Sequence, residues 1–265
     1  MRSSSSNRSS ERRGRSRNNN EGSGEDRSAN LKLRNPHTIL AALAVRPEDF
    51  AEIRIARRSD HSGSWLEVIQ AAEEAGISIE VGGADPQSTQ VRSYVGEAEV
   101  KVREPISVTE MFSDPQVGDI WIGLDGVQDS RNIGAIARTA QFFGIRGIVL
   151  TRDRTAPITS ISHDVAAGGL ELLQISQPPN LSKALSEIRS MGVWTVGTAE
   201  DAEESLESLK PDRPWMILVG NEEKGLRRLT RNACDLMVSI PSDNQFVSSL
   251  NVSVAAGITI STLKL

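Results

Sequence analysis

The 265-residue chain holds one cysteine, Cys234. A lone thiol excludes an intramolecular disulfide and fits a reducing compartment, so a cytoplasmic location is expected. The three histidines, His37, His61 and His163, are scattered, and no Cys/His spacing matches a zinc site. No metal is therefore expected. Aromatic residues make up only 4 % of the chain, which argues against recognition by stacking bases on aromatic platforms. No apolar run reaches the roughly 18 to 20 residues of a membrane-spanning helix, so no membrane partner is expected. A dinucleotide fingerprint needs G-x-G-x-x-G directly after a strand, and the turn after the apolar run 120–124 offers only Gly126 and Gly134. A phosphate-binding P-loop is missing as well.

What is present falls into three parts. Residues 1–30 are rich in Ser, Arg, Asn and Gly and carry little to bury, so this stretch reads as a disordered arm. Its seven Arg against four acids give +3, which leaves −8 on the rest of a chain whose net charge is −5. Residues 31–105 read as a small α/β layer structure. Its expected elements are a short helix at 38–44, a strand at 53–56, a helix from Trp65 stopped at Gly76, and a strand at 77–81. Residues 106–117, bounded by Pro105 and Gly118, read as a linker.

Residues 118–265 alternate apolar strands with amphipathic helices. Strands are expected near 119–124, 147–151, 193–197, 215–219 and 236–240. Helices are expected near 133–143, 180–190, 223–233 and 250–263. That order predicts an α/β fold with a parallel sheet covered on both faces.

Three segments carry the functional signal. The first is Asp129–Ala140, DSRNIGAIARTA, where Ile133, Ile136, Ala137 and Ala140 recur at helical spacing. Asn132 could serve there as an N-cap, with Gly144 as the C-terminal stop. The second is Leu218–Leu226, LVGNEEKGL, where Gly220 permits close backbone approach and Glu222 suits a helix start. The third is Ile240–Ile260, where Ser248, Ser249, Asn251 and Ser253 are threaded into the mouth of an apolar helix. Together and in this order they resemble the SpoU family of RNA ribose 2′-O-methyltransferases, of the SPOUT superfamily. The motifs are Asn132-x-Gly134-Ala135-Ile136-x-Arg138-Thr139-Ala140, Gly220-Asn221-Glu222-x-x-Gly225-Leu226, and Ile240-Pro241 followed by Ser249-Leu250-Asn251-Val252-Ser253. The resemblance covers roughly residues 118–264, with weaker similarity over about 34–105.

The resemblance implies a deep trefoil knot at the C-terminus, a homodimer, and transfer of a methyl group from S-adenosylmethionine to a ribose 2′-hydroxyl. It implies RNA as partner, ribosomal RNA ahead of transfer RNA, selected by a ribosomal-protein-like domain at 31–105. The implied catalytic residues are Arg138, Asn132, Glu222, Ser249 and Asn251. The implied cofactor-binding residues are Thr198, Gly220, Asn221, Ile240, Leu250 and Asn251. Because a guanidinium stays protonated in proteins, the role that suits Arg138 is gripping a phosphate and stabilising the emerging alkoxide. Lys224, Arg227, Arg228 and Arg231 fall at i, i+3, i+4 and i+7 and are expected to share one helical face for RNA phosphates.

One stretch departs from the family pattern. Ser242 stands where relatives carry Met, and no glycine lies between Pro241 and Ser249. Asn244 is the residue expected to adopt the left-handed conformation that glycine would supply. Two readings follow: an RNA 2′-O-methyltransferase, or an inactive SPOUT-fold protein that holds RNA without methylating it.

Overall fold

A computed structural model describes residues 30–55, 63–82, 95–243, 246 and 249–265. The arm expected at 1–30 lies outside the described residues except for Asn30, as do Asn244 and Ser248.

Two sheets organise the described chain. The first contains β1 (Leu31–Leu33), β2 (Phe50–Ile55), β3 (Ile79–Val81) and β4 (Gly96–Val100) in the order β1-β4-β2-β3. β4 pairs antiparallel with β1 and β2, while β3 lies parallel to β2. Alternation selects the face: Ile53 and Ile55 are buried with Arg54 exposed between them. Two helices cover that face, α1 (Pro36–Val45) and α2 (Ser64–Glu74). α1 starts where Asn35 Oδ1 accepts from the backbone N–H of His37, just ahead of Pro36. Ile39, Ala42, Val68 and Ala72 close the core over Leu33, Ala98 and Val100.

The second sheet has seven strands. They are β5 (Ile120–Asp125), β6 (Gly147–Leu150), β7 (Gln174–Ser176), β8 (Trp194–Thr198), β9 (Glu204–Ser205), β10 (Trp215–Gly220) and β11 (Leu236–Ser239). Their order is β7-β6-β5-β10-β8-β11-β9, and every pairing is parallel. β5 and β10 are buried along their whole length, as expected of central parallel strands. Their alternation splits the core into two layers. Ile120, Ile122, Leu124, Ile217 and Val219 face α4 (Ser130–Phe142) and α9 (Val252–Lys264). Trp121, Met216 and Leu218 face α3 (Val108–Met111) and α7 (Leu181–Ser190). The segment read as a linker therefore contributes to the core: Met111 and Phe112 are buried, and the Phe112 ring lies 4.6 Å from that of Trp121.

Two helices absent from the sequence reading, α5 (Ser160–Ala166) and α6 (Gly169–Leu172), pack on α4. Gly134 allows this approach, since a Cβ there would stand 2.5 Å from the Ser162 carbonyl oxygen. The helix expected at 223–233 is a correction. Only α8 (Arg228–Arg231) is helical. The residues before it form a turn, because Gly225 takes φ +62° and the Asn221 side chain accepts from the N–H groups of Glu223 and Lys224.

α5 and α6 also carry the junction between the sheets. The Thr38 hydroxyl donates to the His163 carbonyl at 2.8 Å. Arg46 grips Glu171 through Nε at 2.8 Å and Nη2 at 3.0 Å, with both residues almost fully buried. His163 Nδ1 lies 3.1 Å from Glu171, off the line of a hydrogen bond. Burial alone would raise the Glu171 carboxyl, but His163 and Arg46 outweigh it and hold it at about 2, against 4.5 in the open chain. A folded value below the unfolded one stabilises the fold fully above the unfolded value and stops doing so as pH falls toward 2. The shift corresponds to about 3 kcal/mol. Thermal melts should show the wild-type midpoint dropping between pH 5 and pH 2.5. Glu171→Gln should start lower, by about 3–5 kcal/mol for a broken buried pair, and change less with pH. Parallel pH curves for the two proteins would contradict this account.

Candidate active site

The three sequence motifs meet at the C-terminal ends of β5, β10 and β11, where open parallel sheets bind ligands. The turn after β10 is closed by reciprocal backbone hydrogen bonds between Asn221 and Gly225, at 3.0 and 2.9 Å. It is tight: a Cβ on Gly220 would stand 2.1 Å from the Gly225 carbonyl carbon. Asn221 Nδ2 donates to the Gly126 carbonyl at 3.0 Å, tying this turn to the one after β5. The result presents Glu222 to α4.

Asn132 Nδ2 donates to Glu222 Oε1 at 2.9 Å, and Asn251 Nδ2 donates to Asn132 Oδ1 at 3.2 Å. Asn251 Oδ1 in turn accepts from the N–H and hydroxyl of Ser253, at 2.9 and 2.6 Å, and so caps α9. One hydrogen-bond chain thus joins all three motifs. Asn132 is not the N-cap of α4. Asp129 holds that position and accepts from the N–H of Arg131, which leaves the Asn132 amide free for Glu222. Glu222 lies in the turn, not at a helix start.

Beside this chain lies a cavity of about 660 Å³. Thr198, Gly220, Asn221, Glu222, Ile240, Ser249 and Leu250 line it, while Asn132, Asn251 and Arg138 do not. Arg138 stands exposed on α4, six residues past Asn132, with no hydrogen-bond or ion-pair partner among the described residues. That separation is about 9 Å along the helix and a different face. Leu226, Ile240, Pro241, Leu250, Val252 and Ala255 give the cavity an apolar wall. Five carboxylates, on Glu200, Asp201, Glu222, Glu223 and Asp243, border it against only Lys224 and Arg231. Such a lining suits a ligand with a flat apolar part and positive charge, and S-adenosylmethionine offers an adenine, a sulfonium and an ammonium. A smaller depression of about 370 Å³ at the other end of the strands, beside Arg189, Trp194 and Asp235, includes none of the motif residues.

The expected basic face does not form. Arg227 is paired with the buried Asp125, Arg231 donates to Asp201 at 2.8 Å, and Lys224 sits in the turn. The sequence reading also missed Gln128, whose N–H points at Glu222 at 3.4 Å, and the wall formed by Ala199, Glu200 and Asp201. Their place just after an apolar parallel strand was the available signal for the latter.

Comparisons with known proteins agree with this geometry. The model of the SpoU rRNA Methylase family matches residues 119–261. The 23S rRNA (guanosine-2'-O-)-methyltransferase RlmB of Nitrosomonas europaea is 33 % identical over 228 residues, covering 84 % of this chain and 87 % of that protein. The RlmB of Shewanella oneidensis is 35 % identical over 231 residues, covering 84 % and 92 %. Among solved structures, the SpoU methyltransferase AviRb from Streptomyces viridochromogenes in complex with AdoMet superposes with a TM-score of 0.75 at 19 % identity, over 89 % of each chain. An AdoMet-bound rRNA methyltransferase from Sinorhizobium meliloti gives 0.71 at 22 % identity, over 89 % and 87 %. The likeness to these two structures is one of fold. With the motifs, the family model and the curated relatives in agreement, this chain belongs to the SpoU rRNA methylase family.

Proposed function

We propose that the chain transfers the methyl group of S-adenosylmethionine to the ribose 2′-hydroxyl of a guanosine in 23S ribosomal RNA. The observation that carries this reading is the Glu222–Asn132–Asn251 hydrogen-bond chain set against the acid-rimmed cavity. The substrate follows the RlmB relatives, whose names specify it.

S-adenosylmethionine supplies a methyl group on a positively charged sulfur that leaves as a neutral thioether. The apolar wall of Ile240 and Leu250 and the backbone at Gly220 and Asn221 are the proposed seat of the nucleoside part, with Thr198 at the end of β8 between them. The hydrogen-bond chain fixes Glu222 and Asn132 in one orientation, so they position the ribose without reorganising. Alignment of this kind contributes up to about 7–11 kcal/mol of barrier lowering. Ser249, which lines the cavity, is assigned a hydrogen bond to the reacting nucleotide. Arg138 is assigned the neighbouring phosphate and the alkoxide, but since it lies outside its own chain's cavity and on a different face of α4 from Asn132, it takes this role at the cavity of the second copy in the proposed homodimer.

The trefoil knot and the homodimer belong to the same proposal. Leu250, Val254 and Ile258 recur at i, i+4 and i+8, and each is more than a third exposed. Phe142, on the same side of α4 as Arg138, is 82 % exposed. A second copy covering these residues would remove a large apolar area from water. The sheet of β1–β4 is proposed to select the RNA. No described helix is long and apolar enough to cross a membrane.

Calorimetric titration with S-adenosylmethionine tests the cavity directly. Micromolar binding is expected, weakened at least about tenfold by Leu250→Glu, which puts a charge into the apolar wall. No heat up to millimolar cofactor would contradict the assignment.

A further inference from the structure

A body carrying −8 must recruit RNA through cations that are free to meet phosphate. Among the described residues, nine basic side chains are already paired with carboxylates. Lys32, Arg34, Arg46, Arg54, Arg146, Arg189, Arg213, Arg227 and Arg231 all have carboxylate partners. Among the described residues, the exposed arginines without one are Arg131, Arg138, Arg152, Arg154 and Arg228. Four of these five lie on α4 or on the loop after β6. Arg131 and Arg138 are seven residues apart and so share a helix face.

The loop at 151–157 is built into the site's own scaffold. Ala156 N–H donates to the Val127 carbonyl at 2.8 Å, Gly126 N–H to the Thr155 hydroxyl at 3.3 Å, and the Ser130 hydroxyl to the Pro157 carbonyl at 3.4 Å. Thr151 and Thr155 are buried and bond to each other at 3.1 Å. Arg154 adopts φ +67°, a conformation that costs a non-glycine residue about 1–2 kcal/mol. Gln128 holds it there by donating to its carbonyl at 2.6 Å, while the Gln128 N–H faces Glu222. The strained loop and the catalytic chain thus share one residue. The nearby acids are Asp129, committed to capping α4, Glu222, which accepts from Asn132 and Asn221, and Asp153, which makes no ion pair among the described residues.

We propose that Arg131, Arg152 and Arg154 form a phosphate clamp that seats the RNA strand beside the ribose to be methylated. This replaces the face expected from Lys224, Arg227, Arg228 and Arg231, and it rests on the methyltransferase reading.

The test is the double variant Arg152→Gln, Arg154→Asn in the full chain, with asparagine chosen because it tolerates the left-handed conformation. The probe is a 23S rRNA fragment, with binding measured at several salt concentrations and methyl transfer assayed separately. Affinity should fall about 10- to 100-fold at moderate salt. The slope of log K against log salt should shrink by about 1 for each arginine–phosphate pair removed. S-adenosylmethionine affinity and the rate at saturating RNA should stay within about twofold. Lys210→Gln, at the opposite end of the strands, should change nothing. A double variant with wild-type affinity and salt slope overturns the clamp, and does so even while the wild type methylates RNA normally. A wild type that binds RNA through these arginines but transfers no methyl group overturns the methyltransferase reading and leaves the clamp standing.

Discussion

Arg138→Ala is expected to slow methyl transfer by about 10²- to 10³-fold, the usual effect of removing one group that stabilises charge developing in the transition state. Cofactor affinity should remain within about twofold of wild type, because Arg138 does not line the cavity. Stability should also be unchanged, because the side chain is exposed and pairs with no described residue. This combination separates a chemical role from a structural one. Poorer packing would lower the melting temperature, and a role in holding the cofactor would show as weaker binding. Arg138→Lys should recover only part of the rate, since an ammonium lacks the planar fork that grips phosphate through two bonds. Single-turnover kinetics with saturating RNA make the comparison. Wild-type turnover by the alanine variant would remove Arg138 from the mechanism.

Gly220→Ala should have the other large effect, through crowding and not through chemistry. A methyl group at this position would meet the Gly225 carbonyl carbon at 2.1 Å, the Leu226 nitrogen at 2.3 Å and the Gly225 oxygen at 2.4 Å. All three are backbone atoms, so relief requires the turn itself to open. Opening it breaks the Asn221–Gly225 hydrogen bonds and moves Glu222 away from Asn132. We expect a stability loss of about 1–3 kcal/mol, read as a lower melting temperature, and at least a tenfold loss of S-adenosylmethionine affinity. Gly225→Ala is the informative comparison. Its φ is +62° but the space around it is open, so it should cost only the left-handed penalty of about 1–2 kcal/mol and keep the turn. Equal behaviour of the two variants would show that conformation, not close approach, explains Gly220.

Much of the scaffold was legible in the sequence because its causes are local. The buried strands read as apolar runs, the helix around Ile133–Ala140 showed its periodicity, and the last helix read as an apolar stretch. The three motifs named the residues that the hydrogen-bond chain links. The errors share one physical cause, which is that partners distant in sequence override local pattern. The i, i+3, i+4 and i+7 spacing of Lys224 to Arg231 promised one basic face. Asp125 and Asp201 claim two of its four cations, and the Asn221 turn takes a third out of the helix. Asn132 suited the capping role, yet Asp129 fills it and so releases the Asn132 amide to reach a carboxylate 90 residues away. Residues 106–117 read as a linker from composition, and the packing of Phe112 on Trp121 within that segment is a pairing no composition rule foresees. Arg138 is where the motif alone says least. The sequence marks the residue, but its position in the fold leaves it apart from the other motif side chains, facing whatever docks on α4.

The central claim is transfer to a ribose hydroxyl, and one experiment reads it directly. The purified full chain is incubated with methyl-labelled S-adenosylmethionine and 23S rRNA lacking modifications, and the RNA is then digested and mapped by mass spectrometry. The account predicts a single labelled guanosine carrying the methyl group on its 2′-oxygen, with the same label appearing about 10²- to 10³-fold more slowly with Arg138→Ala. Label on a base, or no label from a protein that binds both cofactor and RNA, would contradict it.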